Sequence, residues 1–161
     1  MSDDSFTHLD EEGRAHMVNV AEKPITTRRA RAQAIVHMSS DTARAIRDVT
    51  LDKGDALSVA RVAGIMGAKR TAELIPLCHS LALDHVSVDL EVREDRVVIH
   101  TEAVCQGKTG IEMEALTAAM TAALTLYDMA KARDKAMVIG DVMLLAKSGG
   151  RSGDWLRDEL E

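Results

Sequence analysis

Asp128 and Lys131 stand three residues apart near the end of a long Ala-rich segment, residues 108–131. On a helix that spacing makes the two side chains surface neighbours. A cationic acid beside a carboxylate base, fixed on a rigid element, suits proton transfer. The same spacing also describes an ordinary exposed ion pair, worth under about 1 kcal/mol, and spacing alone favours that plainer reading. At the other end of the segment lie Glu112 and Glu114. Their carboxylates could accept paired N–H bonds from a purine-like ring. Both also suit a first helical turn, where the dipole favours negative charge, and Thr109 with Glu112 has the spacing of a capping box.

Other residues suggest anion binding. Lys147 to Gly153 places two basic residues, Lys147 and Arg151, among three glycines. Glycines let backbone N–H groups approach an anion, so the stretch reads either as a polyphosphate cradle or as a flexible linker. It is not a P-loop. Lys53 precedes Gly54 and Asp55 in a second, weaker anion candidate, and Lys69 and Arg70 add charge further along. His79 lies in a loop after Pro76, where function often resides. A lone loop histidine is more often a surface or hydrogen-bonding residue. Cys78 beside it reads as a small hydrophobe.

The elements that must position these groups follow from periodicity. Ala30, Ala32, Ala34, Val36 and Met38 alternate and predict a strand with one buried face. A short extended piece is expected around His16-Met17-Val18, within a polar arm over residues 1–27. Ser40 or Asp41 should cap a helix to about Val49. Asp55 should cap another over Ala56–Glu73, with Val59, Val62, Ala63 and Met66 as its buried stripe. Residues 75–80 form a loop at Pro76. Residues 85–93 alternate strictly, Glu94-Asp95 turn, and Arg96–Gln106 return, predicting a hairpin. The long helix should run to about Arg133 and bury Met113, Leu116, Met120, Leu124 and Tyr127. A last strand, Met137–Leu145, is interrupted by Gly140. This order predicts a ferredoxin-like β-α-β-β-α-β α+β sandwich, an antiparallel sheet with helices on one face. The other face should need a partner subunit. The chain reads as a single domain over 1–161, with about 1–14 and 156–161 expected to be flexible.

Composition narrows the function classes. The chain has 161 residues, 46% apolar but only 2% aromatic, so its core must be aliphatic and Met-rich. Small core side chains bury little area each, which favours association. A net charge of −6 and three aromatic residues argue against nucleic-acid binding, which needs a basic field and stacking platforms. Two cysteines without metal spacing suggest reduced thiols in the cytoplasm. No apolar run reaches membrane-spanning length.

Together, HMVNV at 16–20, KGD at 53–55, AGIMGAKRTAELIPLCHSL at 63–81, TGIEMEALTAAMTAALTLYDMAKA at 109–132 and LLAKSGGRSGDW at 144–155 resemble the cyclic pyranopterin monophosphate synthase (MoaC) family of molybdenum-cofactor biosynthesis. The resemblance implies a lyase that converts 3′,8-cyclo-7,8-dihydroguanosine 5′-triphosphate, a GTP-derived substrate, to cyclic pyranopterin monophosphate with loss of diphosphate. It implies a homohexamer, a trimer of dimers, with the site at a subunit interface. Asp128, Lys131 and Lys53 match catalytic positions. Leu77, Cys78, His79, Met113 and Glu114 match substrate-binding segments; Lys147 matches an active-site lysine, and Glu112 and Arg28 are further carry-overs. No resident cofactor or metal is implied; Mg²⁺ would travel with the triphosphate. An unstable substrate would favour transient contact with the upstream radical GTP cyclase. Asn19, Ser80 and Arg151 stand where the family usually has Asp, Pro and Lys. None is a central catalytic position, so an active enzyme is expected. The competing class is a nucleotide sensor of similar fold, which would return its ligand intact.

Overall fold

The computed structural model describes residues 12–158. β1 (Thr26–His37) leads through α1 (Ser40–Arg47), α2 (Ala56–Lys69) and the single turn α3 (Thr71–Leu74) to the hairpin β2 (His85–Val92) and β3 (Arg96–Gly107). α4 (Glu112–Ala130), β4 (Val138–Ser148) and a two-residue β5 (Trp155–Leu156) complete the chain. The sheet order is β2-β3-β1-β4-β5, and all pairings are antiparallel. This is the expected ferredoxin-like α+β architecture with one additional edge strand. The polar arm expected over 1–27 lies in part, at 1–11, outside the described residues, as do residues 159–161 of the expected flexible end. No strand forms at residues 16–18, and β1 begins four residues before the expected Ala30.

The alternation in β1 is realised: Ala30, Ala32, Ala34 and Val36 are fully buried. α1 is capped by Ser39, one residue earlier than expected, and Asp55 caps α2 by accepting from the Ser58 amide. α2 ends at Lys69 rather than Glu73; Arg70 breaks it and the chain restarts as α3.

Both long helices depart from the sequence expectation, α2 more than α4, where Leu116 and Tyr127 still pack against the core. α2 buries Ala56, Ala60, Gly64, Gly67 and Ala68, whereas Val59, Val62 and Met66 are exposed. α4 buries Ala115, Ala118, Ala119, Ala122, Ala123 and Leu126, and Leu124 is 55% exposed. Met113, Leu116, Met120 and Tyr127 are only half-buried. Small residues let backbones approach, and the close fit is visible at the glycines. A Cβ on Gly64 would lie 3.0 Å from the Ala118 carbonyl oxygen and 3.0 Å from Val88. A Cβ on Gly67 would lie 2.8 Å from the Thr121 Cβ. From the sheet below, the Thr101 hydroxyl donates to the Ala115 carbonyl of α4 at 2.8 Å.

The outer sheet face is mixed, with Ile35 of β1 and Val98 and Val104 of β3 among its polar residues. Arg29, Arg31, Gln33 and His37 of β1 and His100 and Glu102 of β3 occupy it, and Arg29 pairs with Glu102 at 2.6 Å. Exposed large apolar residues lie on the helices, as Val59, Val62, Met66, Leu74 and Leu124, and on β4 and β5, as Val138, Val142, Trp155 and Leu156. Beside Gly140, β1 and β4 lose register between Gln33 and Ile35, and Asp141 takes φ +49°.

Because the α2–α4 contact has no spare volume, Ala122→Leu should lower unfolding free energy by about 1–3 kcal/mol. Urea denaturation of the variant beside wild type measures this. A change within about 0.5 kcal/mol, the range of ordinary surface substitutions, would mean the helices are not in close contact.

Candidate active site

The candidate residues form two groups at opposite ends of α4. Asp128, at its C-terminal end, accepts from Lys131 Nζ at 2.8 Å and from Lys53 Nζ at 2.7 Å. Lys53 also donates to the Asp128 backbone carbonyl at 2.9 Å, so it ties the α1–α2 connection to the end of α4. The expected i,i+3 pair is thus a three-residue cluster, and sequence spacing could not supply its third member. The two ammonium groups hold the Asp128 carboxyl down at about 2, with Lys131 the larger cause. Asp128 in turn raises Lys131 above the ordinary lysine value. Asp128 and Lys131 are therefore both charged throughout the neutral range. Their side chains are about half exposed.

The second group lines a cleft of about 680 Å³. Arg28, Leu77, Cys78, His79, Glu112, Met113, Glu114 and Lys147 all border it. Helix α4 points its first turn into the cleft, and the loop after Pro76 forms one wall. The expected capping box is absent: the helix begins at Glu112 behind Ile111, with no side-chain cap. Glu112 instead pairs with Lys147 at 2.9 Å. Glu114 is 4% exposed. Burial pushes its carboxyl up, and nearby Glu112 pushes the same way against its own backbone N–H. Among the described residues no cation forms an ion pair with it. Buried carboxyls of this kind in clefts are candidates for ligand recognition. Burial also raises the Cys78 thiol, with Glu114 adding to it, which fits a packing role better than a nucleophile's.

Arg28 is almost buried and uses its guanidinium internally. Nε donates to the Gly107 carbonyl and Nη1 to the Gly149 carbonyl, each at 3.3 Å. It braces the two loops that flank the cleft. Gly149 and Gly150 take φ +93° and +81°. Side chains there would collide with the Thr27 carbonyl and the Arg28 guanidinium, so only glycine permits this turn. The stretch expected to be a cradle or a linker is an ordered turn, with the Gly149 amide held by Asp154 at 3.2 Å.

The sequence reading missed the strap that covers the cleft. Val18, Val20, Lys23 and Pro24 line it. His79 Nε2 lies 2.9 Å from the Val18 carbonyl oxygen, and Lys108 donates to the Ala21 carbonyl at 2.5 Å. Asn19 accepts from the Ala21 amide at 2.9 Å through its side-chain oxygen. An aspartate oxygen could do the same, so Asn19 preserves the turn. Extended backbone without periodicity carries no sequence signal of where it docks. Among the described residues, no group of three or more His, Cys, Asp or Glu side chains is placed to hold a metal ion. No described helix is long and apolar enough to cross a membrane.

α4 separates the two groups. From Glu112 to Asp128 the helix rises roughly 24 Å at 1.5 Å per residue. Neither Asp128, Lys131 nor Lys53 borders the cleft.

Comparison with known proteins adds an independent finding. The sequence profile described as "MoaC family" matches residues 17–150. A protein of Peptoclostridium acidaminophilum is 53% identical over 155 residues, covering 96% of this chain and 99% of its own length. One from Chloroflexus aurantiacus is 56% identical over 154 residues, covering 94% of each. Another from Thermomicrobium roseum is 54% identical over 158 residues, 97% of this chain and 95% of its own length. Each of the three bears the name cyclic pyranopterin monophosphate synthase.

Two cations of unequal effect hold Asp128 ionised, which gives a direct test. The carboxyl should titrate at about 2 by NMR. Lys131→Ala should raise that midpoint further than Lys53→Ala does, since removing a cation favours the protonated form. Equal midpoints in all three proteins would show that the cluster does not form in solution.

Proposed function

The chain belongs to the MoaC family, and on that footing we propose that it converts 3′,8-cyclo-7,8-dihydroguanosine 5′-triphosphate to cyclic pyranopterin monophosphate and diphosphate. The observation that carries this reading is the composition of the two half-sites. The cleft combines a buried carboxylate with a lysine and a glycine turn, matched to a purine-derived ring and a polyphosphate. The cluster supplies a carboxylate between two ammonium groups, matched to proton transfer.

Glu114 and the Leu77–His79 wall orient the ring system. Lys147 and Arg151 bind phosphate oxygens, and Arg28 holds the turn that carries them. Preorganised cations of this kind stabilise charge developing on departing diphosphate. As the purine five-membered ring opens and the pyrazine ring closes, Lys131 gives a proton and Asp128 accepts one. Lys53 keeps Asp128 in place. The raised Lys131 value means that it starts protonated but holds its proton more tightly than an ordinary lysine, so bound substrate must change that environment before the proton moves. Mg²⁺ arrives, where it is used, as the counter-ion of the triphosphate.

A reaction that needs both groups needs two chains, because one α4 cannot bring its own ends together. The site therefore lies at a subunit interface, with the cluster of one protomer completing the cleft of its neighbour. The exposed apolar residues of α2 and α4 support association, and closed symmetry suits repeated identical interfaces. A homohexamer, a trimer of dimers, in the cytoplasm completes the reading. Transient contact with the enzyme that makes the unstable substrate would protect it in transfer.

Wild type should release diphosphate and form pterin from the cyclised nucleotide. Lys131→Ala should lose at least about 10²-fold in kcat, the scale of a removed acid–base group. Intact nucleotide recovered from wild type would mean a sensor instead. For the shared site, Lys131→Ala and Lys147→Ala proteins should each be nearly inactive. Co-refolded at equal amounts, they should recover activity, as random mixing leaves about a quarter of shared sites unmutated. Absence of recovery in mixed oligomers confirmed by mass would place the whole site in one chain.

A further inference from the structure

Several cations that line the cleft are engaged by the protein itself. Arg28 donates to two carbonyls, Arg29 pairs with Glu102, and Lys108 donates to the Ala21 carbonyl. Lys147 is the one paired with a carboxylate from inside the cleft. Its Nζ lies 2.9 Å from Glu112 Oε1, and the two side chains are 29% and 26% exposed. The same ammonium lies 3.4 Å from the Ser152 hydroxyl of the glycine turn. A largely buried ammonium with no counter-charge is unfavourable, and Glu112 supplies that charge while no phosphate is present.

The Glu112 carboxylate reaches this position by folding back over Gly110. A Cβ on Gly110 would fall within the carboxylate, 2.7 Å from Cδ and 2.8 Å from Oε1. The missing side chain leaves the space that the carboxylate fills. The obstructing atoms are the far end of a flexible side chain, so filling that space would move Glu112 and leave the backbone in place.

We propose that Glu112 is a positioning residue that acts as an internal substitute for phosphate, held on Lys147 in the empty cleft and displaced by a diphosphate-bearing ligand. This rests on the phosphate-binding role of Lys147 proposed above. A phosphate oxygen and the Glu112 carboxylate cannot share one ammonium without strong like-charge repulsion. Arrival of the ligand turns Glu112 away; its return weakens the hold on the product and speeds release of diphosphate. Glu112 thus keeps Lys147 pointed into the cleft and limits product affinity.

Calorimetric titration of inorganic diphosphate into the full-length protein tests this at fixed ionic strength. Glu112→Gln should bind at least about tenfold more tightly than wild type, the scale of one lost charge-assisted competitor. Gly110→Ala should shift affinity in the same direction with the carboxylate still present. Neither gain should survive on a Lys147→Ala background. In turnover, Glu112→Gln should lower kcat and KM together as product release slows. Unchanged or weaker diphosphate binding by both single variants, at wild-type thermal midpoints, would overturn the proposal, as would a gain that persists without Lys147. Should Glu112→Gln fail to fold, Gly110→Ala decides alone. Tighter binding in the variants, with no turnover of the cyclised nucleotide by wild type, would sink the enzymatic reading and leave Glu112's role standing. Turnover without any gain in binding would do the reverse.

Discussion

Close contact between α2 and α4 is the constraint on which the rest of the molecule depends. Gly64 meets the Ala118 carbonyl and Ala122, and Gly67 meets the Thr121 side chain, with no large side chain between them. Each such residue buries little area, so stability comes from close fit over two long helices and not from a few large anchors. The alanines of β1 continue the fit below, where Thr101 bonds directly to the α4 backbone. The helix is thereby fixed against both the sheet and α2, and its two ends become fixed points.

That fixed position determines the chemistry available. The first turn of α4 projects Glu112 and Glu114 beside the loop after Pro76 and the turn after β4. The last turn sets Asp128 against Lys53, which the α1–α2 connection delivers. A helix of nineteen residues is rigid and long, so it cannot bend to join its own ends. The same packing sends Val59, Val62, Met66 and Leu124 outward. Internal packing and the apolar outer surface are two consequences of one choice of helix face.

Charge is handled differently at the two ends. Asp128 is solvent-accessible and satisfied twice over, so its carboxylate is strongly favoured. Glu114 is buried, without an ion-pair partner among the described residues, and its carboxyl is pushed the other way. Two carboxyl groups on one helix are thus driven apart by environment alone, a pattern associated with divided acid and recognition roles. Lys147 sits between these extremes, neutralised by a carboxylate close enough to compete with any anion that enters.

The sequence determined the order of elements, the strand faces of β1 and the hairpin, the Asp55 cap and the Asp128–Lys131 pair. These rest on local periodicity and spacing of two to four residues, which physics reads directly. Its long motifs also established family membership. Tertiary structure alone decided which face of each helix is buried. A pattern of large apolar residues marks a face that avoids water, but it does not distinguish a core from a surface meant for a partner; here the alanines and glycines went inside because only they allow the backbones to meet. It alone brought Lys53 to Asp128 and Lys147 to Glu112, pairs 75 and 35 residues apart in the chain. Pairs so distant in sequence leave no periodic trace, since their meeting depends on the packing of every element between them.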